Sequence, residues 1–180
     1  MKKLSFPDII QTFAYDCGAN ALESVLTYYG IKEIYEDQLL RCAKTNDHVG
    51  TKIDGVIRTL KKYKLEYVSK SMTINELKEY IDRKIPVMLL LQAWRKENGK
   101  YIEHQNYSKE YNKSHWVVAI GYTKNRILFE DPATIDTMYL PNKELMQRWH
   151  AREGRKHFLN HGIAVIGKPK FNPNKIEYMD

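Results

Sequence analysis

The sequence predicts an α+β fold in which a helical N-terminal half packs on an antiparallel sheet supplied by the second half. Three observations predict it. Up to residue 82, apolar residues recur at three- and four-residue spacing in four separate segments. After residue 85 they come instead as short continuous or alternating runs. Two of those runs are separated by the turn-like Lys124-Asn125, which suits a tight antiparallel reversal.

In residues 17–29, Ala21, Leu22, Val25, Leu26 and Tyr29 build one apolar helical face, and Gly30 stops the helix. A second periodicity covers 34–43, a third 53–63, and a fourth 73–82, with Thr73 or Asn75 as its cap. Residues 86–92 form a nearly continuous apolar run, as in a strand buried on both faces. Strands follow at 115–122 and 126–131, with another at 137–140. A helix is expected from Pro141, because proline suits a helix start, and 162–167 supplies a closing strand.

Residues 93–114 are crowded with Lys, Glu, Asn, Tyr and Gln and show no clear period. So long a polar stretch suggests a lid or binding loop, or else an extended hairpin with 101–104 in its second arm.

A chain of 180 residues, 43% hydrophobic, buries a real core and is not disordered. One domain over 1–180 is the economical reading, because no repeat, low-complexity tract or linker interrupts it. No apolar run approaches the ~20 residues that cross a bilayer. Met1 to Gln11 is too poor in apolar residues for a signal peptide and holds Pro7 and Asp8. A soluble, cytoplasmic protein is therefore expected. Its two cysteines, Cys17 and Cys42, are expected to be free thiols and exclude a four-cysteine zinc site. The net charge of +7 suits an acidic partner or simply a solvated basic surface. No nucleic-acid motif accompanies it, and no nucleic-acid partner is expected.

The chemistry-bearing residues begin with Asp16-Cys17-Gly18. Asp16 suits a helix cap, which places Cys17 at the first helical position, where exposed N–H groups and the helix dipole favour thiolate. Gly18 leaves room for a substrate to reach the sulfur. A buried cysteine there is also often a small apolar residue. Gln11, in the loop entering the helix, can donate to an oxyanion alongside the Cys17 N–H. Otherwise it is a solvated glutamine. His115 starts the 115–122 strand, whose alternation puts His115, Val117, Ala119 and Gly121 on a small face and Trp116, Val118, Ile120 and Tyr122 on a bulky one. It is a candidate base, or a core histidine held by hydrogen bonds. Asp131 closes the neighbouring strand, where a hairpin brings it near His115 to orient the imidazole. Asp-Pro is also a common turn pair.

Gln11, Asp16-Cys17-Gly18, His115-Trp116-Val117-Val118 and Asp131-Pro132 resemble the motifs of the bacteriocin-processing cysteine peptidases. These are the double-glycine leader peptidases of ABC exporters, within the papain-like superfamily. The likeness extends to Gly50-Thr51 ahead of a helix, the strand at 65–70, Ile85-Pro86-Val87 and Trp149, all in family order. It spans a core of 6–167 and leaves 168–180 as a tail. The resemblance implies a papain-like fold with Cys17 as nucleophile, His115 as general base and Asp131 as its orienter. It also implies an oxyanion hole of Gln11 and the Cys17 N–H, with no metal or cofactor. A leader peptide cut after a small-residue pair would be the substrate, and a separate membrane exporter a further partner, since the chain carries no transmembrane or ATPase segment of its own. The 93–114 insertion and the basic stretch 152–161 exceed what the family core requires. An acyl transferase using the same triad, or a peptide-binding module without turnover, are the alternatives.

Cys42 lies on an amphipathic helix and reads as packing. His157 and His161 have i, i+4 spacing but lack a third ligand and read as surface or loop residues.

Overall fold

The four N-terminal periodicities all become helices. In the computed structural model, which describes residues 1–32, 34–93, 96–97, 100–101, 107–176 and 178, α1 runs Cys17–Tyr28 and fully buries Ala21, Leu22, Val25 and Leu26. Gly30 ends it at φ +73°, so that Gly30 N–H returns to Thr27 O (2.9 Å) and Ile31 N–H to Leu26 O (3.0 Å). That paired reversal satisfies last-turn carbonyls that α1 itself cannot.

Helix α2 is Glu36–Ala43, starting two residues later than its periodicity because Tyr35 is extended. Helix α3 is Ile53–Lys62, and strand β2 is Glu66–Ser71. Helix α4 is Ile74–Asp82, and Thr73 rather than Asn75 caps it. Glu76 N–H donates to Thr73 Oγ1 (3.2 Å) while Thr73 N–H donates to Glu76 Oε2 (2.8 Å), a reciprocal capping box.

The second half supplies most of the sheet, and β1 (Lys2–Lys3) and β2 of the first half complete it. The strands of the second half are β3 (Val87–Gln92), β6 (Ser114–Tyr122), β7 (Arg126–Glu130), β8 (Met138–Pro141) and β11 (His161–Ile166). Among the described residues the antiparallel order is β2-β11-β3-β6-β7-β8, and β1 pairs with the far end of β6. Strand β3 is buried at every position, as its unbroken apolar run requires. The β6–β7 register joins Val118 to Glu130 and Ala119 to Phe129, with a shift between Ala119 and Gly121. Glu130 therefore shares the bulky face of β6, and Ser24 of α1 meets it there. Helix α1 lies on the Trp116 side of the sheet, while His115 and Val117 look the other way.

Helix α5, Asn142–Arg148, follows Pro141, which ends β8. The basic stretch beyond it is a hairpin of β9 (His150–Glu153) and β10 (Lys156–Leu159), turning at Gly154 with φ +60°. His157 and His161 thus lie on strands, and the helical i, i+4 geometry does not exist. His161 pairs with Ser69 Oγ (2.9 Å) and His157 rests edge-on against Tyr111.

Within 93–114, Lys96–Glu97 (β4) and Lys100–Tyr101 (β5) pair as a hairpin. The rest of the expected second arm, at 102–104, lies outside the described residues. A 3-10 turn, Tyr107–Lys109, then docks beneath α5. The Arg148 guanidinium lies 3.7 Å from the Tyr107 ring centroid, and His150 Nε2 donates to Tyr107 O (2.8 Å). Buried Gln92 ties the ends of the insertion together: Nε2 donates to Ser114 Oγ and His150 O, and Oε1 accepts Lys113 N–H. Among the described residues no helix is long and apolar enough to cross a membrane.

Candidate active site

Cys17 is the first residue of α1, as expected, but not because Asp16 caps the helix. The Asp16 carboxylate is fully buried and turns back, and Oδ2 accepts the N–H groups of Thr12 (3.2 Å) and Phe13 (3.1 Å). It folds the loop before Cys17 instead of closing the helix end. Both thiols are free, with Cys17 buried and Cys42 half-buried.

Gly18 also differs from expectation. A Cβ at that position would lie 2.5 Å from Thr51 Cβ and 2.6 Å from Trp116 Cδ1. Its bareness lets the first turn of α1 press against Thr51 and Trp116, and Trp116 Nε1 in turn donates to Thr51 O (2.8 Å).

Strand β6 begins one residue before His115, which is buried, and β7 ends one residue before Asp131. The hairpin brings the two together: His115 Nε2 donates to Asp131 Oδ1 at 2.6 Å. The imidazole also lies within interaction range of Cys17, so the ring sits between sulfur and carboxylate. Burial is the strongest influence on the ring and opposes its charge. Asp131 and Cys17 outweigh it and lift the imidazole to about 9. Asp131 Oδ1 accepts Ala133 N–H as well (3.0 Å), which fixes the carboxylate at the strand end.

Gln11 lies close by. Its N–H donates to Pro132 O (2.8 Å), so the segment carrying it is strapped to the residue after Asp131. Its side-chain Nε2 donates to Phe13 O (2.7 Å), which occupies one of the two amide hydrogens.

The Cys17–His115 pair sits between two hollows. On the Cys17 side a cleft of about 540 Å³ is lined by Tyr15, Gly50, Thr51, Tyr111, Asn112 and Arg152, among others. On the His115 side a smaller, apolar pocket of about 220 Å³ is lined by Leu91, Val117, Phe129, Met138 and Leu140. A thiol, an imidazole and a carboxylate in series, at a helix N-terminus opening on a cleft, can perform nucleophilic acyl chemistry.

The sequence profile of the Peptidase_C39 like family matches residues 3–157. The chain belongs to the Peptidase_C39-like family. No curated protein gives a significant match. Among solved structures, the peptidase domain of ComA from Streptococcus, a bi-functional ABC transporter involved in quorum sensing, is similar at 21% identity and TM-score 0.64, covering 93% of this chain and all of that one. A double glycine motif protease from an AMS/PCAT transporter, solved with its leader peptide, is similar at 20% identity and TM-score 0.62, covering 94% of this chain and 95% of that one. A C39-like peptidase from Bacillus anthracis is similar at 18% identity and TM-score 0.63, covering 94% of this chain and all of its own. The architecture is thus the papain-like α+β fold of C39 peptidase domains.

In this C39-like chain, several cleft residues carry no local signal in the sequence. Tyr111 and Asn112 belong to the insertion and reach the cleft because Tyr107 and Gln92 pin that segment down. Arg152 and Glu153 arrive on the β9–β10 hairpin, where Glu153 Oε1 accepts Ile53 N–H (2.8 Å) at the start of α3. A pairing across so many residues has no periodicity to announce it.

Proposed function

We propose that this chain is a cysteine peptidase of the double-glycine leader type, hydrolysing a peptide bond with Cys17 as nucleophile, His115 as base and Asp131 as orienting carboxylate. The observation that carries this reading is the buried imidazole of His115, set beside Cys17 and held by Asp131 at 2.6 Å. At neutral pH the raised His115 already holds the proton, and Cys17 Sγ attacks the scissile carbonyl as the thiolate of that ion pair. The tetrahedral oxyanion is held by the Cys17 N–H and by the second hydrogen of the Gln11 amide. The imidazolium then protonates the leaving amine as the C–N bond breaks and a thioester remains. Water, deprotonated by His115, attacks the thioester, releases the acid and returns the thiol.

Residues 1–180 act as one peptidase domain in this reading, on the cytoplasmic side, on a leader peptide delivered by or to a separate exporter. The family membership and the leader-peptide complex of a similar protease support that substrate class. The test is mass spectrometry of peptides containing a small-residue pair after incubation with the protein. Wild type yields two fragments, and Cys17→Ala yields none. Cleavage that survives in Cys17→Ala overturns the assignment.

A further inference from the structure

Glu130 precedes Asp131 on β7, yet its side chain enters the opposite face of the sheet, beneath α1. It is 2% exposed and takes no part in the steps above. Ser24 of α1 donates its hydroxyl to Glu130 Oε1 at 2.9 Å, the Ile9 N–H of the N-terminal segment lies beside the carboxyl, and Oε2 has no hydrogen-bond partner among the described residues. Two residues further along each chain, Gln11 N–H donates to Pro132 O at 2.8 Å. The tripeptide Glu130-Asp131-Pro132 therefore touches every part of the site. Its first side chain holds the nucleophile's helix, its second holds the imidazole, and its last carbonyl holds the Gln11 segment.

We propose that Glu130 is a positioning residue whose carboxyl, through Ser24 and Ile9, fixes helix α1 and the Gln11 segment to the strand end that carries Asp131. This inference rests on the peptidase reading of Cys17, His115 and Asp131. A buried carboxyl is costly where an apolar side chain would fill the same space, and a retained buried polar group is suited to specifying one geometry. Burial pushes the carboxyl up to about 8. The Ser24 hydroxyl and the Ile9 N–H oppose the shift, and the charges of Asp131 and Asp8 add to it. Among the described residues it faces the Ser24 hydroxyl from α1, the Ile9 N–H and Asp8 of the N-terminal segment, and Val118 paired with it on β6. Burial thus favours the protonated carboxyl at neutral pH. Ionising it sets an anion beside two carboxylates and loosens the frame.

The experiment uses the full chain carrying Cys42→Ser, so that Cys17 is the one thiol. Iodoacetamide alkylation is followed across neutral and alkaline pH, together with amide hydrogen exchange of residues 7–13. The parent shows a break in its rate profile near 8 and a second near 9, the values set by Glu130 and His115. Glu130→Gln keeps the neutral-pH rate and loses only the lower break. Glu130→Ala changes the rate about tenfold, as misplacement of reacting groups does, and residues 7–13 exchange faster. If Glu130→Ala does not fold, Ser24→Ala must change the rate and exchange in the same direction. A lower break that persists in Glu130→Gln overturns the proposal, as does unchanged exchange at 7–13 in both Glu130→Ala and Ser24→Ala. If His115→Ala alkylates like the parent, the base assignment falls instead, while the exchange data still decide the role of Glu130.

Discussion

Burial alone would strip the proton from His115, because a charged imidazole is poorly solvated in the protein interior. Asp131, 2.6 Å away, together with Cys17, reverses that preference and carries the ring to about 9. The linkage has a definite sign. A group whose folded pKa lies above its unfolded value gives stability that is fully present below the unfolded value and lost as pH rises through the folded one. For His115 that window runs from 6.5 to about 9, and for Glu130 from 4.5 to about 8. Both contributions decline on the alkaline side, so the melting temperature should fall from neutral pH to beyond 9. Glu130→Gln should remove the lower part of that decline and His115→Gln the upper part, and an unchanged decline in both contradicts the account. At this scale the meeting of Cys17, His115 and Asp131 was legible, because the helix start and the hairpin that bring them together each leave a local signal. The turn of Asp16 was not. Its residue type announces a cap, but the buried carboxylate finds Thr12 and Phe13 before it instead of the helix after it. Glu130 was equally silent, since nothing local says which helix will cover its face of the strand.

Helix α1 presents Cys17 only because its first turn can approach Thr51 and Trp116 closely. Gly18→Ala places a methyl group inside 2.7 Å of both side chains. It should destabilise the fold by about 1–3 kcal/mol, the usual cost of overpacking, and slow peptide cleavage. Thr73→Ala removes the cap of α4, far from the cleft, and should cost about 1 kcal/mol while leaving cleavage unchanged. Urea unfolding midpoints and cleavage rates measured on the same samples separate the two cases. Equal activity losses in both would show that α1 placement is not special. The contrast also explains which elements the sequence revealed. Helices α1 to α4 declare themselves through a period that each carries alone, and β6 and β7 through a short hairpin between them. The β9–β10 hairpin is short and, Leu159 apart, polar on its exposed positions, so its strand character comes from pairing, not from composition. Strand β1 is two residues long and exists through its partner β6.

The site belongs to neither half of the molecule. Cys17 rides on the helical half, His115 and Asp131 on the sheet, and the cleft walls on the insertion and the late hairpin. The α+β order of elements was readable because helical and strand-like periods segregate along the chain. The docking of 107–113 was not, because its anchors, Arg148, His150 and Gln92, act through long-range polar contacts. A reactivity that requires both halves should vanish on unfolding. Covalent trapping by a peptide aldehyde, read by intact mass and peptide mapping, tests this most directly. The native protein should carry the adduct on Cys17 and not Cys42, and His115→Ala or urea-unfolded protein should carry almost none. Equal labelling of the two cysteines in the native state, or trapping at the wild-type rate in His115→Ala, would contradict it.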